Sequence, residues 1–381
     1  PLRLCHEPHG PPVAEVVVLG DDVEPQRLAA GLAPTATAFA CWLPFQLSLL
    51  DLALYDRMGL YTLVTVGLTL LMGFAGQVSL GQGGFFLIGA YTSGLLTVGL
   101  DPDTRLIDLE AGITPLAALA AAPVVTAVVA AVIGVPLLRL RGHYLAFATL
   151  AFHLIMLSLL YAQDRFTGGQ YGVTVVKPLE VFGHSISGAT HAAVVWAIVA
   201  IALLLSANLV HSRAGRALQA IAESEPAAAA AGVSVATYKL RLFVLAAALA
   251  GLAGGLFVFF AQFVGPEDFS IILSLQFVVM VAVGGLGSVY GAVVGTVAIL
   301  WLEHRVRDLG THESLLGWDL PPQAPSVLSL GVLGVILIVV MLFFPNGLLP
   351  AVLGGVRRAR HRRRRAPARA LPVSARGPGT R

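Results

Sequence analysis

Apolar runs close to or above the roughly 20 residues needed to cross a bilayer as a helix recur along the whole chain, separated by Gly, Pro and charged positions. Together with that punctuation they predict ten crossings, at 38–54, 58–78, 80–100, 113–137, 144–162, 189–210, 240–263, 270–284, 289–304 and 327–344. The pair at 270–304 is short and also reads as re-entrant, which leaves eight full crossings. Strands of a membrane barrel would alternate polar and apolar positions, and these runs do not. The expected fold is an all-α integral membrane protein, a polytopic helical bundle of about eight to ten transmembrane helices.

Composition agrees with the pattern. The chain is 57% hydrophobic and 12% charged, against about a quarter charged in soluble domains. Its mean hydropathy is +0.83. Cys5 and Cys41 are too few and too differently placed to suggest a disulfide framework or a metal site. Residues 1–33 carry charges and prolines without the basic-then-apolar order of a signal peptide, and read as an extramembrane lead-in. Residues 34–350 form the membrane domain, and 351–381 a basic tail.

Charge sets the orientation. Arg139 and Arg141, then Arg213 and Arg216 with Lys239 and Arg241, then the tail from Arg357 to Arg365, are separated by even numbers of crossings. All three clusters fall on one face, which the excess of basic residues makes cytoplasmic, together with both termini. The other face collects Asp101, Asp103, Asp108, Glu110, Asp164, Glu267 and Asp268. The tail sequence RRARHRRRR follows a span directly, so it reads as a helix anchor meeting anionic lipid headgroups rather than nucleic acid.

Two polar, glycine-rich stretches interrupt the apolar pattern. GFAGQVSLGQ at 73–82 places Gly76, Gln77, Ser79, Gly81 and Gln82 between two spans. VGGLGSVYG at 283–291 places Gly285, Gly287 and Ser288 in the second half. Glycines alone suit tight helix packing. The two glutamines add a lining role, because broken helices are tolerated in a membrane only where they are packed in protein or border a water-filled path. A pair of such breaks in corresponding halves is the mark of an internally repeated transporter with broken helices. Charges are nearly absent from the span centres, which argues against an ion-coupled carrier. His153 stands alone mid-span, either as a functional group or as a neutral imidazole hydrogen-bonded between helices.

No ATPase is encoded within this sequence: the only lysines, Lys177 and Lys239, follow no phosphate-binding turn. Nor does any Ser/His/Asp or HExxH arrangement suggest an enzyme. Between two spans, residues 211–239 predict two short helices. Ala217, Leu218 and Ile221 share one face of the first, with Arg216, Gln219 and Glu223 elsewhere. The second begins at Glu225 and Pro226 and is stopped by Gly232. Such a pair is either a handle for a soluble partner or an interfacial helix lying on the membrane.

These residues resemble a known family. The stretch GRALQAIAESEPAAAAAGVSVATYKLRLFVLAAALAGLAGGL resembles, nearly position for position, the coupling loop and following span of LivM-type branched-chain amino acid permeases of ABC importers. LTLLMGFAGQVSLGQGGFFLIGAYTSGLL at 68–96, LRLRGHYLAFATLAF at 138–152, TGGQYGV at 167–173, PEDFSIILSLQFVVMVAVGGLGSVYGAVVG at 266–295 and FFPNGLLP at 343–350 follow in the family's order. The sequence departs from the general importer loop at Pro226, where that pattern has Glu, and at Leu154, where relatives commonly carry a carboxylate.

The resemblance implies a permease subunit in a bacterial inner membrane, forming the path for branched-chain amino acids. A urea or short-amide permease of the same superfamily, and outside it an ion-coupled carrier or a channel, stay open as alternatives. Implied partners are a homologous LivH-like permease, two cytoplasmic ATPases that bind ATP and Mg, a periplasmic or lipid-anchored binding protein, and membrane lipid. The chain itself is expected to hold no cofactor. On this resemblance Gly215, Arg216, Leu218, Ile221, Glu223, Glu225, Ala227, Ala228 and Gly232 form the ATPase-coupling loop. The two glycine-rich breaks then border the translocation path.

Overall fold

The computed structural model describes residues 42–46, 48–98, 113–140, 142–163, 167–174, 178–181, 184–310, 314–315, 318–319 and 334–335. The expected lead-in, the basic tail, the acidic stretch 101–110 and nearly all of the crossing at 327–344 lie outside them.

Eight helices of the membrane class are described: α1 (Leu49–Thr69), α2 (Gln82–Val98), α3 (Pro115–Leu137), α4 (His143–Ala162), α5 (Ala189–His211), α8 (Val235–Ala261), α9 (Ile271–Gly284) and α10 (Val289–Gly310). Between α5 and α8 lie two short ones, α6 (Arg213–Glu223) and α7 (Glu225–Ala230). Six of the long helices are long and apolar enough to cross a membrane. The 14 residues of α9, at about 1.5 Å per residue, fall short of the roughly 30 Å hydrocarbon core. Only that member of the pair at 270–304 is therefore less than a full crossing.

The first expected crossing is not a separate helix. Residues 43–46 form a single 3₁₀ turn, and α1 then runs without interruption through Tyr55, Asp56 and Arg57, where the charges predicted a loop. Those charges are accommodated instead. Asp56 is buried against His191, and the Arg57 guanidinium lies over the Tyr61 ring at 5.9 Å. Losing the 38–54 crossing removes the argument that put the N-terminus on the same side as the 211–239 loop. The chain enters α1 at the end opposite that loop.

α1 and α8 are the central helices; fewer than half of the positions in the apolar stretches of α3, α4, α5 and α10 are buried. Ala246, Ala247, Ala250 and Ala253 line one side of α8 with no exposure at all. Small residues of this kind let helix backbones approach closely in a membrane, where packing replaces the hydrophobic drive. Thr296 Oγ1 donates to Thr65 Oγ1 (2.8 Å) and ties α10 to α1. An aromatic wedge of Tyr61, Phe86, Phe269 and Phe277, with neighbouring ring centroids 5.1 to 6.1 Å apart, fills the interior. Three two-stranded ribbons sit in the connections: β1 (Val173–Thr174) with β4 (Phe263–Val264), β2 (Leu179–Val181) with β3 (His184–Ile186), and β5 (Ser314–Leu315) with β6 (Trp318–Asp319). Sequence reading did not anticipate these ribbons, which are two or three residues long and carry no periodic pattern.

Candidate functional site

The glycine-rich breaks join successive helices: the second turns the chain at the end of α9, and the first runs from that corner back into the bundle, where Gly83 meets Ser274 and His153. α1 ends in a π turn at Leu70–Phe74, a distortion that recurs at functional sites. Residues 75–81 then reverse the chain into α2, with Gly76 at φ +63°, a conformation side chains rarely adopt. Gly285 opens the matching reversal between α9 and α10.

The two reversals touch. A β-carbon on Gly73 would fall on the Leu286 carbonyl oxygen, so only glycine permits that approach. Phe74 and Ser288 also line one small cavity, with Val210 and His211 from the end of α5 and Tyr290 from α10. Gly287 and Leu286 are exposed at this corner. Residues that are distant in sequence and were expected in one path are therefore neighbours.

The polar side chains of the first reversal point inward. Gln77, Ser79 and Gln82 are each more than nine-tenths buried, and among the described residues both amide atoms of each glutamine and the Ser79 hydroxyl lack a hydrogen-bond partner. Groups of this kind are ordinarily paired with protein or water. Around them the backbone is fastened. The Leu80 N–H donates to Thr149 Oγ1 (2.9 Å), and Gly81 packs against the Thr149 backbone. The Gly83 N–H donates to Ser274 Oγ (3.0 Å).

His153 completes that fastening. Because a carbonyl only accepts, His153 Nε2–H donates to Phe269 O (2.9 Å), which leaves Nδ1 to accept from Ser274 Oγ–H (2.9 Å). Both ring nitrogens are thus used, and the imidazole bridges α4, α9 and the turn before α9. Of the two readings of His153, the structure matches the hydrogen-bonded one.

The 211–239 loop forms the two expected helices. Ser212 Oγ caps α6 by accepting from the Gly215 N–H (3.3 Å), and Ser224 Oγ caps α7 by accepting from the Ala227 N–H (3.4 Å). Leu218, Ile221 and Ala228 are buried; Arg216, Glu223, Ala227 and Gly232 are exposed. Lys239 Nζ pairs with Glu225 and ties α7 to the start of α8. Gly215 is not a contact surface: a β-carbon there would fall on Val210 O, so it builds the α5–α6 corner. The loop also reaches the first reversal, with Ala222 Cα 3.6 Å from where a Gly76 β-carbon would stand.

Basic residues gather at this same end. Gly134, five residues before Arg139, packs on Leu240 and Phe243 at the start of α8. Sequence reasoning missed two features at the other end. His191 Nδ1–H donates to Asp56 Oδ2 (2.6 Å), while Asp56 Oδ1 and His191 Nε2 have no partner among the described residues. Gln276 Nε2–H donates to Glu303 Oε2 (2.7 Å) between α9 and α10. A buried-face signal exists for His191, one turn into a strongly apolar helix. Asp56 gave none, because it stood where a loop was expected.

Comparison with known proteins agrees with this architecture. The sequence profile described as "Branched-chain amino acid transport system / permease component" matches residues 52–341. The high-affinity branched-chain amino acid transport system permease protein LivM of Salmonella typhimurium is 29% identical over 367 residues, covering 90% of this chain and 79% of that protein. LivM of Escherichia coli shows the same identity and coverage. LivH of Escherichia coli is 27% identical over 306 residues, covering 76% of this chain and 91% of that protein. No solved structure matches. The profile covers most of the chain and takes in both reversals and the α6–α7 loop, and the chain belongs to the branched-chain amino acid transport permease family.

Proposed function

We propose that the chain is the membrane-spanning permease subunit of an ABC importer, carrying branched-chain, hydrophobic amino acids inward across a bacterial inner membrane. The α6–α7 loop is the observation that carries this reading. It presents Arg216, Glu223 and Ala227 outward, while Leu218 and Ile221 fix it to the bundle. Basic residues beside it support a cytoplasmic placement by the positive-inside tendency. A cytoplasmic ATPase, holding ATP and Mg, would grip this loop. A second such ATPase, a LivH-like permease and an external binding protein would complete the assembly.

In this mechanism nucleotide-driven movement of α6 passes through Ala222 to Gly76 and thence to both reversals. Coupling of that kind requires two global states that differ in their ATPase contacts. The buried amides of Gln77 and Gln82 would find partners in the state that opens the path. With so few charges in its spans, the subunit holds a zwitterion weakly, which suits release.

The test is a pull-down of the tagged chain from native membranes in mild detergent, followed by reconstitution of what co-purifies. Two ATPases and a second permease are expected, with ATP-dependent leucine uptake and none of urea. Purification of the chain alone, or uptake driven by an ion gradient without ATP, would overturn the reading.

A further inference from the structure

About midway along α4, α2 and α4 are fastened to one another. The Leu80–Thr149 hydrogen bond, the Gly83–Ser274–His153 relay and the Phe85–Phe152 ring contact (4.9 Å) hold them together. Farther along α4 the two helices part and enclose a groove of about 280 Å³. Small-ligand pockets begin at roughly 300 Å³. Ile88 and Leu95 line one wall, and Met156 and Leu159 the other, with Gln163 at the end of α4.

Four of the lining side chains are polar: Tyr91, Thr92, Gln163 and Thr167. Tyr91 is 5% exposed, and its hydroxyl has no hydrogen-bond partner among the described residues. A buried tyrosine normally pairs its hydroxyl, so the arrangement lacks an acceptor or donor that an occupant would bring. The Phe269 ring stands 6.1 Å from the Tyr91 ring.

Resting on the amino acid importer reading above, we propose that this groove is a binding site for the transported amino acid. Its branched aliphatic side chain lies among Ile88, Leu95, Met156 and Leu159, and its carboxylate accepts from the Tyr91 hydroxyl. An acyl chain of lipid would fill the apolar walls equally well but would leave the hydroxyl unpaired, and the amino acid meets both requirements. No charge lies among the lining residues, so the site is weak, as a transient stop on a path must be.

The complete importer is reconstituted in proteoliposomes, and uptake of leucine and valine is compared for wild type, Tyr91→Phe and Ile88→Phe. Tyr91→Phe removes only the hydroxyl and is expected to slow both substrates about tenfold, the loss of one hydrogen bond to a charged group. Ile88→Phe narrows the groove and is expected to lower leucine uptake several-fold relative to valine. Stimulated ATP hydrolysis serves as the check on assembly. As a second readout, Leu95→Cys, made with Cys5 and Cys41 replaced by serine, is labelled by a maleimide. Excess leucine is expected to protect it. A wild-type importer that moves both amino acids, with variants that match it and labelling that leucine leaves unchanged, overturns the groove alone. A wild-type importer that moves neither overturns the function and the groove with it.

Discussion

Gln77 brings opposite demands together in one side chain. Its amide is buried with neither atom paired, which ordinarily costs about 1–3 kcal/mol. Gln77→Leu should therefore leave thermal stability in detergent unchanged or raise it, while ATP-driven uptake falls. A fall in both would return the residue to a packing role. Asp56 and His191 make the contrasting case, since their contact is formed. A double-mutant cycle of Asp56→Ala and His191→Ala, read by thermal unfolding, should give a coupling of ~1–3 kcal/mol. Zero coupling would mean that the pair does not hold α1 to α5. The sequence distinguished these residues unevenly. Glutamines in an apolar run stood out, whereas Asp56 looked like loop punctuation because its partner lies far along the chain.

The α6–α7 unit was legible as an element because its signals are local. Pro226 suits a first turn, Gly232 a stop, and the Leu218/Ile221 face repeats with helical period. Its attachment was not legible, because the contact of Ala222 with Gly76 depends on the fold. Substitutions here should separate surface from scaffold. Arg216→Glu should abolish co-purification of the ATPases while the subunit still folds and inserts, as monodisperse elution in detergent would report. Gly215→Val should instead disrupt the α5–α6 corner and lower the thermal midpoint, since a β-carbon meets Val210 O. Gly76→Ala sits between these cases. Forcing a β-carbon into the left-handed region costs about 1–2 kcal/mol, and ATP hydrolysis is expected to continue with reduced uptake. Tight coupling retained in that variant would argue against the Ala222–Gly76 route.

At the scale of the molecule, periodicity and length located every described membrane helix except the start of α1. The miscount there has a physical cause: a helix tolerates charges when a neighbouring helix supplies the partner, and hydropathy does not see the neighbour. The candidate site was only half legible. Both reversals were found, but their meeting at Gly73 and Leu286 and the groove at Tyr91 required three dimensions. That meeting also bears on how the subunit is made. The α1–α2 hairpin leaves the ribosome early, with its amides already committed to an apolar setting, whereas the carbonyl that closes over Gly73 is translated near the far end of the described chain. The corner where the two breaks meet is thus among the last places to be finished during insertion. A truncation ahead of α9 would leave an early hairpin with its most polar stretch uncovered, a ready target for membrane quality control.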